Sequence, residues 1–317
     1  MRLVFLNQNN MNKKLLAPLE PKVLWHHFAD ICEIPHEVGK EGKLAEFILD
    51  LAVKKDFFSF IDECSNLFIR IPASEGFESW PSVCLQANID LCLLAYRNNK
   101  YFATDSEKEY FPLKLRIIGD TITSQDTNFS AANGIGMAAM IAIITEDIPH
   151  GPLEMLFSSQ MNNLSEGIMR FDCSCIESKY LINLCGMKKE PAVIIGSPEY
   201  CMLRIRFKIG TINRKINPII EECQQFETIS SWHSDSNCKL LFLIQEAYHA
   251  TGIPVNIEHA AESSDMSIIN KLMPEIKKIS IGPNGSLNGP KGEWVSIKSV
   301  QKFWMALKYI LVNADKL

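Results

Sequence analysis

The sequence predicts an α/β fold with a central mixed β-sheet flanked by helices, and three observations predict it. Apolar runs of strand length alternate with amphipathic helical stretches along most of the 317 residues. Residues 134–146 are apolar on nearly every side, which is the composition of a helix buried in a core. Between 201 and 209, Cys201, Leu203, Ile205, Phe207 and Ile209 alternate strictly with Met202, Arg204, Arg206 and Lys208. That period of two marks a half-buried, antiparallel strand.

The elements follow in order. Leu24, Phe28 and Ile31 share one face of an opening helix over 19–34. Leu44, Phe47, Ile48 and Leu51 fall at i, i+3, i+4 and i+7 of a second helix over 40–55. Strands are expected at 66–71, at 82–90 and as a pair around 115–122. The buried helix comes next, then strands at 153–158, 180–184 and 193–196. The alternating strand at 201–209 leads through a turn near Gly210 to a short helix near 216–225. A helix over 237–251 stops at Gly252, as suits a C-terminal glycine. A strand at 255–258, a helix near 265–273 and a strand at 276–281 precede a Gly/Asn/Pro-rich loop over 282–292. Val300, Trp304, Leu307 and Leu311 line one face of a closing helix over 296–313. Residues 1–16 read as a tail, with Met11 a second candidate start. There is no internal repeat and no low-complexity tract.

Composition excludes several classes. The chain is 47% apolar and 22% charged, so it is neither disordered nor collagen-like. A net charge of −5 without a long basic run excludes nucleic acid as a partner. No apolar run reaches ~18 residues, so neither a membrane span nor a membrane partner is expected. The apolar stretch 3–6 is too short for an export signal. The ten cysteines, Cys84, Cys92 and Cys201 among them, read as reduced, buried small hydrophobes of a cytoplasmic protein. Cys173 and Cys175 lack the spacing of a zinc knuckle. There is no Gly-x-Ser-x-Gly elbow and no glycine-rich phosphate loop.

Several ordered segments resemble one family. They are Leu19-Glu20-Pro21 with Leu24-Trp25 and His27-Phe28, Glu33-Ile34-Pro35, Val83-Cys84-Leu85-Gln86, and Asn133-Gly134-Ile135-Gly136. His150-Gly151-Pro152-Leu153-Glu154, Ile182-Asn183-Leu184, Ile281-Gly282-Pro283 and Phe303-Trp304 continue the series. Together, over 19–200 and 232–313, they resemble the aminoacyl-histidine dipeptidases, also called Xaa-His or cytosol non-specific dipeptidases. These are di-zinc exopeptidases. The resemblance implies a single zinc-exopeptidase-like domain and, in an active member, two zinc ions, a bridging carboxylate and a glutamate general base.

Carried over position by position, that chemistry is missing its donors. The family's His-x-Asp reads Asn88-Ile89-Asp90, so the orienting aspartate stays and the imidazole is gone. The bridging aspartate position, before Asn133-Gly134, is Ala132. The Glu-Glu pair of general base and ligand is Met161-Asn162. The aspartate after Ile-Asn-Leu is Cys185, and the closing histidine position is Asn288. A methyl group cannot bridge cations, and an asparagine supplies no anionic ligand. Two potential donors, Asp90 and Cys185, fall short of about four per zinc. No bound cofactor is therefore expected. His259 matches a family histidine outside the metal shell. A relocated site built from Asp90, Asp126, Glu166 and His259, with Glu154 nearby, is the competing arrangement.

The family inserts a lid between the halves of its catalytic domain. The stretch between Ser197 and Trp232 is too short for one. The expected organisation is a tail at 1–16, a discontinuous peptidase-like domain at 17–200 and 230–317, and a lid remnant at 201–229. The expectation for function is a pseudo-peptidase with a binding or regulatory role, its partner a protein or a peptide held in the former cleft. The alternative is a dipeptide-hydrolysing metallopeptidase with a rebuilt site.

Overall fold

The computed structural model describes residues 11–91, 94–97, 100–103, 110–160, 166–198, 200–212, 215–229, 231–259, 264–289 and 292–317. The amino-terminal half begins with α1 (Met11–Leu16), α2 (Lys22–Glu33) and α3 (Gly42–Val53). Strands β1 (Phe58–Ile61), β2 (Leu67–Ile71) and β3 (Val83–Asn88) follow, then the hairpin β4 (Leu94–Arg97) and β5 (Lys100–Ala103) and the pair β6 (Leu115–Ile118) and β7 (Thr121–Ser124). Next come α4 (Ala131–Thr145), β8 (Leu153–Ser158), α5 (Glu166–Arg170), β9 (Tyr180–Asn183) and β10 (Val193–Ser197). The remainder is β11 (Tyr200–Ile212), β12 (Lys215–Ile229), β13 (Trp232–His233), α6 (Lys239–Ala250), β14 (Ile257–His259), α7 (Ser264–Leu272), β15 (Lys277–Ser280), β16 (Gly285–Gly289), β17 (Gly292–Ser296) and α8 (Ile297–Leu311).

Among the described residues the central sheet is mixed and nine-stranded, in the order β1-β2-β8-β3-β9-β15-β10-β13, with β14 also paired to β10. Its middle, β8-β3-β9-β15, is parallel. β2 and β10 join this middle antiparallel. Parallel strands need cover on both faces, because their helical crossovers lie there. The burial follows that rule, and β3 and β8 are buried at every position. Alternate residues of one strand go to opposite cores. Leu85, Met155 and Ile182 join the larger core, with the apolar faces of α2, α3, α4, α6 and α8. Cys84, Leu156 and Leu181 join the smaller one, with Ile168 of α5 and Met266 and Ile269 of α7.

The predicted α/β class with a central mixed sheet is the observed one. Within the stretch read as a tail, Met11–Leu16 forms α1. Leu16 is buried, and the Asn12 amide donates to the Leu113 carbonyl at 2.7 Å. The helix expected near 216–225 is instead strand β12, paired antiparallel with β11 through two shifts of register. Pro218 denies a helix interior one of its donors, and the β-branched Ile216, Ile219 and Ile220 favour extended backbone. The loop expected over 282–292 contains β16, which pairs with β17 and, through it, with β7 and β6. Gly285 and Gly289 permit that ladder. A Cβ on Gly285 would lie 2.5 Å from the Trp294 carbonyl, and one on Gly289 2.5 Å from the Trp294 ring.

Gly136 sets how closely α4 approaches the sheet. A Cβ there would meet the Leu184 carbonyl oxygen at 2.9 Å, and backbone cannot step aside as a side chain can. Gly136→Ala should therefore destabilise the fold by about 1–3 kcal/mol. The midpoint of urea unfolding, compared with the wild type, measures it, and an unchanged midpoint would show that the helix shifts freely.

Candidate functional site

The four parallel strands end at Ser158, Asn88, Asn183 and Ser280, with Asn88 beside Ser158, and Asn183 beside Gln86 and Ser280. Crevices outside the carboxyl ends of parallel strands are where α/β sheets hold ligands. The period of two points these four side chains, and Gln86 two residues before Asn88, to the face covered by α5 and α7. All five are buried.

They form one hydrogen-bonded network. The Gln86 amide nitrogen donates to Asn88 Oδ1 at 2.9 Å and to Ser158 Oγ at 2.8 Å. Its carbonyl oxygen accepts from Asn183 Nδ2. Asn183 Oδ1 accepts from Ser280 Oγ at 2.6 Å and from the Cys185 backbone N–H at 3.1 Å. Asp265, buried in the first turn of α7, accepts from Ser158 Oγ and, at 3.5 Å, from Gln160 Nε2. The strand ends are thus tied together by amides and hydroxyls, with a carboxylate at one margin.

The residues singled out in the sequence are distributed around this edge. Asn88 is inside the network. Asp90 lies just beyond β3, 5% exposed, and its backbone carbonyl accepts from Asn133 Nδ2 at 3.0 Å. Burial, then the nearby Asp265 and Glu41 carboxyls, push the Asp90 carboxyl well above the usual carboxylate range. Ala132 sits half-buried in the first turn of α4. Cys185 follows β9, half-buried and packed against the larger core. Asn288 belongs to β16, but its side chain, like Met161 and Asn162 entirely, lies outside the described residues.

The competing, relocated arrangement is not assembled. Asp126 pairs with Lys114 at 3.6 Å, and Glu166 pairs with Arg170 one helical turn on. Glu154 is buried as a structural acceptor, taking the backbone N–H groups of Glu177 at 3.0 Å and Ser178 at 2.9 Å. His259 is exposed on β14, paired with Gly196 of β10. Its ring, through Nδ1, fills the space a side chain at 196 would need. Each of these groups has a local structural task away from Asp90. Among the described cysteines all seven are unbridged, four of them buried and Cys173, Cys175 and Cys185 half-buried. Cys92 lies outside the described residues.

The donor set does not fit a pair of zinc ions. At the described matching positions stand an amide bonded to its neighbours, a methyl group and a thiol. Among the described residues no three His, Cys, Asp or Glu side chains converge into a group able to hold a metal ion.

Two features of this edge have little sequence signal. Glu293, buried in β17, accepts the backbone N–H groups of Phe129 and Ala131, each at 2.7 Å, at the start of α4. Ser130 has the left-handed φ of 44°, which curls these amides into a cradle for an anion. Asp265 stands two residues after Ser263 at the opening of a helical pattern. An acidic first turn was its visible signal, but nothing in the sequence ties it to Ser158.

No known family's sequence profile matches the chain. The cytosol non-specific dipeptidase of Escherichia coli is 36% identical over 169 residues, which is 53% of this chain and 34% of that protein. The chain thus spans about a third of the length of this curated relative. Solved structures cover almost all of it. The aminoacylhistidine dipeptidase of Vibrio alginolyticus superposes with a TM-score of 0.73 at 17% identity, over 93% of this chain and 97% of that one. A Staphylococcus aureus tripeptidase gives 0.73 at 13% identity, over 94% and 100%. The PepT aminopeptidase of Bacillus cereus gives 0.71 at 13%, over 93% and 99%. Among the described residues no helix is long and apolar enough to cross a membrane. Over about half of its length the chain is thus similar in sequence to a cytosol non-specific dipeptidase, and its fold is that of the solved peptidases.

Proposed function

We propose that this protein is a pseudo-peptidase: a dipeptidase-like chain that has lost di-zinc binding and peptide hydrolysis and serves a binding or regulatory role in the cytoplasm. One observation carries the reading. The side chains at the carboxyl ends of the parallel strands bond to one another through neutral amides and hydroxyls, with Gln86 at the centre. Asn88 Oδ1 already accepts from Gln86 Nε2 and Ser158 Oγ, so this amide has little left to offer a cation, and it brings no charge to offset one. The framework around the edge is kept, so the cleft keeps its shape without its ligands. Its occupant is a peptide or a segment of a partner protein. The half-length match to a dipeptidase supports the peptide as the class of ligand, and the cytosolic relative supports the compartment.

The test is metal content per chain after purification and reconstitution with zinc and with manganese, followed by dipeptide hydrolysis on the same samples. The expected result is far below one equivalent of metal and no hydrolysis above the uncatalysed rate. One or two tightly held equivalents with turnover would overturn the reading in favour of a metallopeptidase with a rebuilt site. Loss of that turnover in Asp90→Ala would then place the rebuilt site at this edge.

A further inference from the structure

Strand β1 ends the central sheet, and among the described residues β2 is its only neighbour. The ladder between the two fixes which backbone groups of β1 are left over. The Asp62 N–H donates to the Asn66 carbonyl at 3.0 Å, so the antiparallel pairs 60↔68 and 58↔70 are hydrogen-bonded and 59↔69 and 61↔67 are not. The N–H and C=O groups of Ser59 and Ile61 therefore point away from β2. Folded proteins blunt such an edge with lysine, proline, a bulge or brevity. The other end of the sheet, β13, is two residues long. β1 reads Phe-Ser-Phe-Ile and pairs with β2 without a shift of register, so it has none of the first three. Its side chains are also unfinished. Phe58 is 59% exposed at the head of a row of rings that runs inward through Phe60 and Phe68 to Phe171, with centroids 6.0, 5.6 and 6.0 Å apart. On the opposite face Phe57 and Ile61 are half-buried against the larger core. The turn before β1 carries Lys55 and the turn after it Glu63, both exposed and neither in an ion pair among the described residues.

We propose that β1 is the docking edge for a second copy of this chain, the two β1 strands pairing antiparallel about Ser59 and joining two sheets into one. The free groups belong to odd-numbered residues, so only odd-numbered residues can exchange hydrogen bonds across the new pair. Centred on Ser59, each Ser59 exchanges both backbone bonds with its counterpart. Phe58 of each copy then lies across from Phe60 of the other, which extends the row of rings over the interface. On the opposite face Phe57 lies across from Ile61. Lys55 stands four residues before Ser59 and Glu63 four after it, so the basic end of each strand meets the acidic end of the other. That charge pattern is complementary to itself only when the strands run antiparallel, which is why the occupant is a second copy related by a two-fold axis. The edge is separate from the carboxyl ends of the parallel strands, and the proposal does not depend on what the cleft holds.

The experiment is sedimentation equilibrium of the full chain at low salt, for the wild type, Ser59→Pro, Lys55→Glu and Lys55→Glu with Glu63→Lys. A strand-edge contact is small, so the wild-type mass should rise from that of one chain to that of two as concentration approaches about 100 µM. Ser59→Pro removes an outward N–H and no bond of the β1–β2 ladder. It should keep the wild-type circular dichroism and remain monomeric over the same range. Lys55→Glu turns two attractive pairs per dimer into repulsive ones and should weaken association about tenfold. Adding Glu63→Lys should restore the wild-type affinity. A wild type that stays monomeric at about 100 µM overturns the proposal. So does a dimer that Ser59→Pro leaves intact, because the contact then lies elsewhere. A double variant that associates no better than Lys55→Glu overturns the antiparallel pairing. Lys55 and Glu63 are exposed, so the charge series decides the matter even where Ser59→Pro fails to fold.

Discussion

Glu293→Ala should cost about 3–5 kcal/mol of folding stability at pH 5, with a smaller loss at pH 8. The glutamate is fully buried, and it gathers the backbone N–H groups of Phe129 and Ala131 at the start of α4. Alanine leaves these amides without an acceptor and opens a cavity beneath the most apolar helix of the fold. The pH dependence follows from the carboxyl's own titration. Burial raises it from 4.5 to about 7, with the backbone donors pulling the other way. The folded protein therefore holds this proton more tightly than the unfolded chain. The associated stability is fully present below about 4.5 and is lost as pH rises through about 7. That interval corresponds to about 3 kcal/mol. The gap between wild type and variant should narrow by about that amount from pH 5 to pH 8, read from urea unfolding at both values. Parallel pH profiles for the two proteins would show that Glu293 is not the linked group.

Gln86→Leu should be similarly damaging, at about 3–5 kcal/mol, although leucine is close in volume and hydrophobic. The substitution removes one residue and strands three. Asn88, Ser158 and Asn183 each lose a partner, and all are buried where water does not replace it. Coupling is the distinguishing feature. Asn183→Leu removes the other side of one bond, so the double variant should be less destabilised than the sum of the two singles, by about 1–3 kcal/mol. Chemical denaturation of the four proteins closes the cycle. Strict additivity would mean that the strand ends are held by packing alone and that the amide network contributes no cohesion.

The sequence was legible wherever a residue's role depends on its neighbours in the chain. The fully apolar α4, the alternation of β11 and the terminal amphipathic α8 are patterns of period, and each appears as read. Local composition misled where pairing partners are distant. The glycines and asparagines of 282–292 look like loop, yet β17 supplies a ladder that turns part of them into β16. The stretch 216–225 was read as a helix, but its ladder with β11 makes it β12.

The same division runs through the candidate site. The loss of family donors at Asn88, Ala132 and Cys185 is a statement about residue identity, and the sequence alone makes it. What stands in their place is a matter of position in space. Gln86 and Asn183 looked like ordinary strand residues until parallel pairing set them side by side. Asp265 and Ser158 are 107 positions apart, and Glu293 is 162 from Ala131, separations at which no periodicity or spacing survives. By itself the sequence determined the α/β class and the family resemblance, because side-chain chemistry and short-range period suffice for those. Only the tertiary structure decided that this edge is closed by hydrogen bonds among amides and hydroxyls, with Asp265 at its margin, and that Asp90 Oδ1 has no hydrogen-bond partner, because folding alone brings distant strand ends within bonding distance.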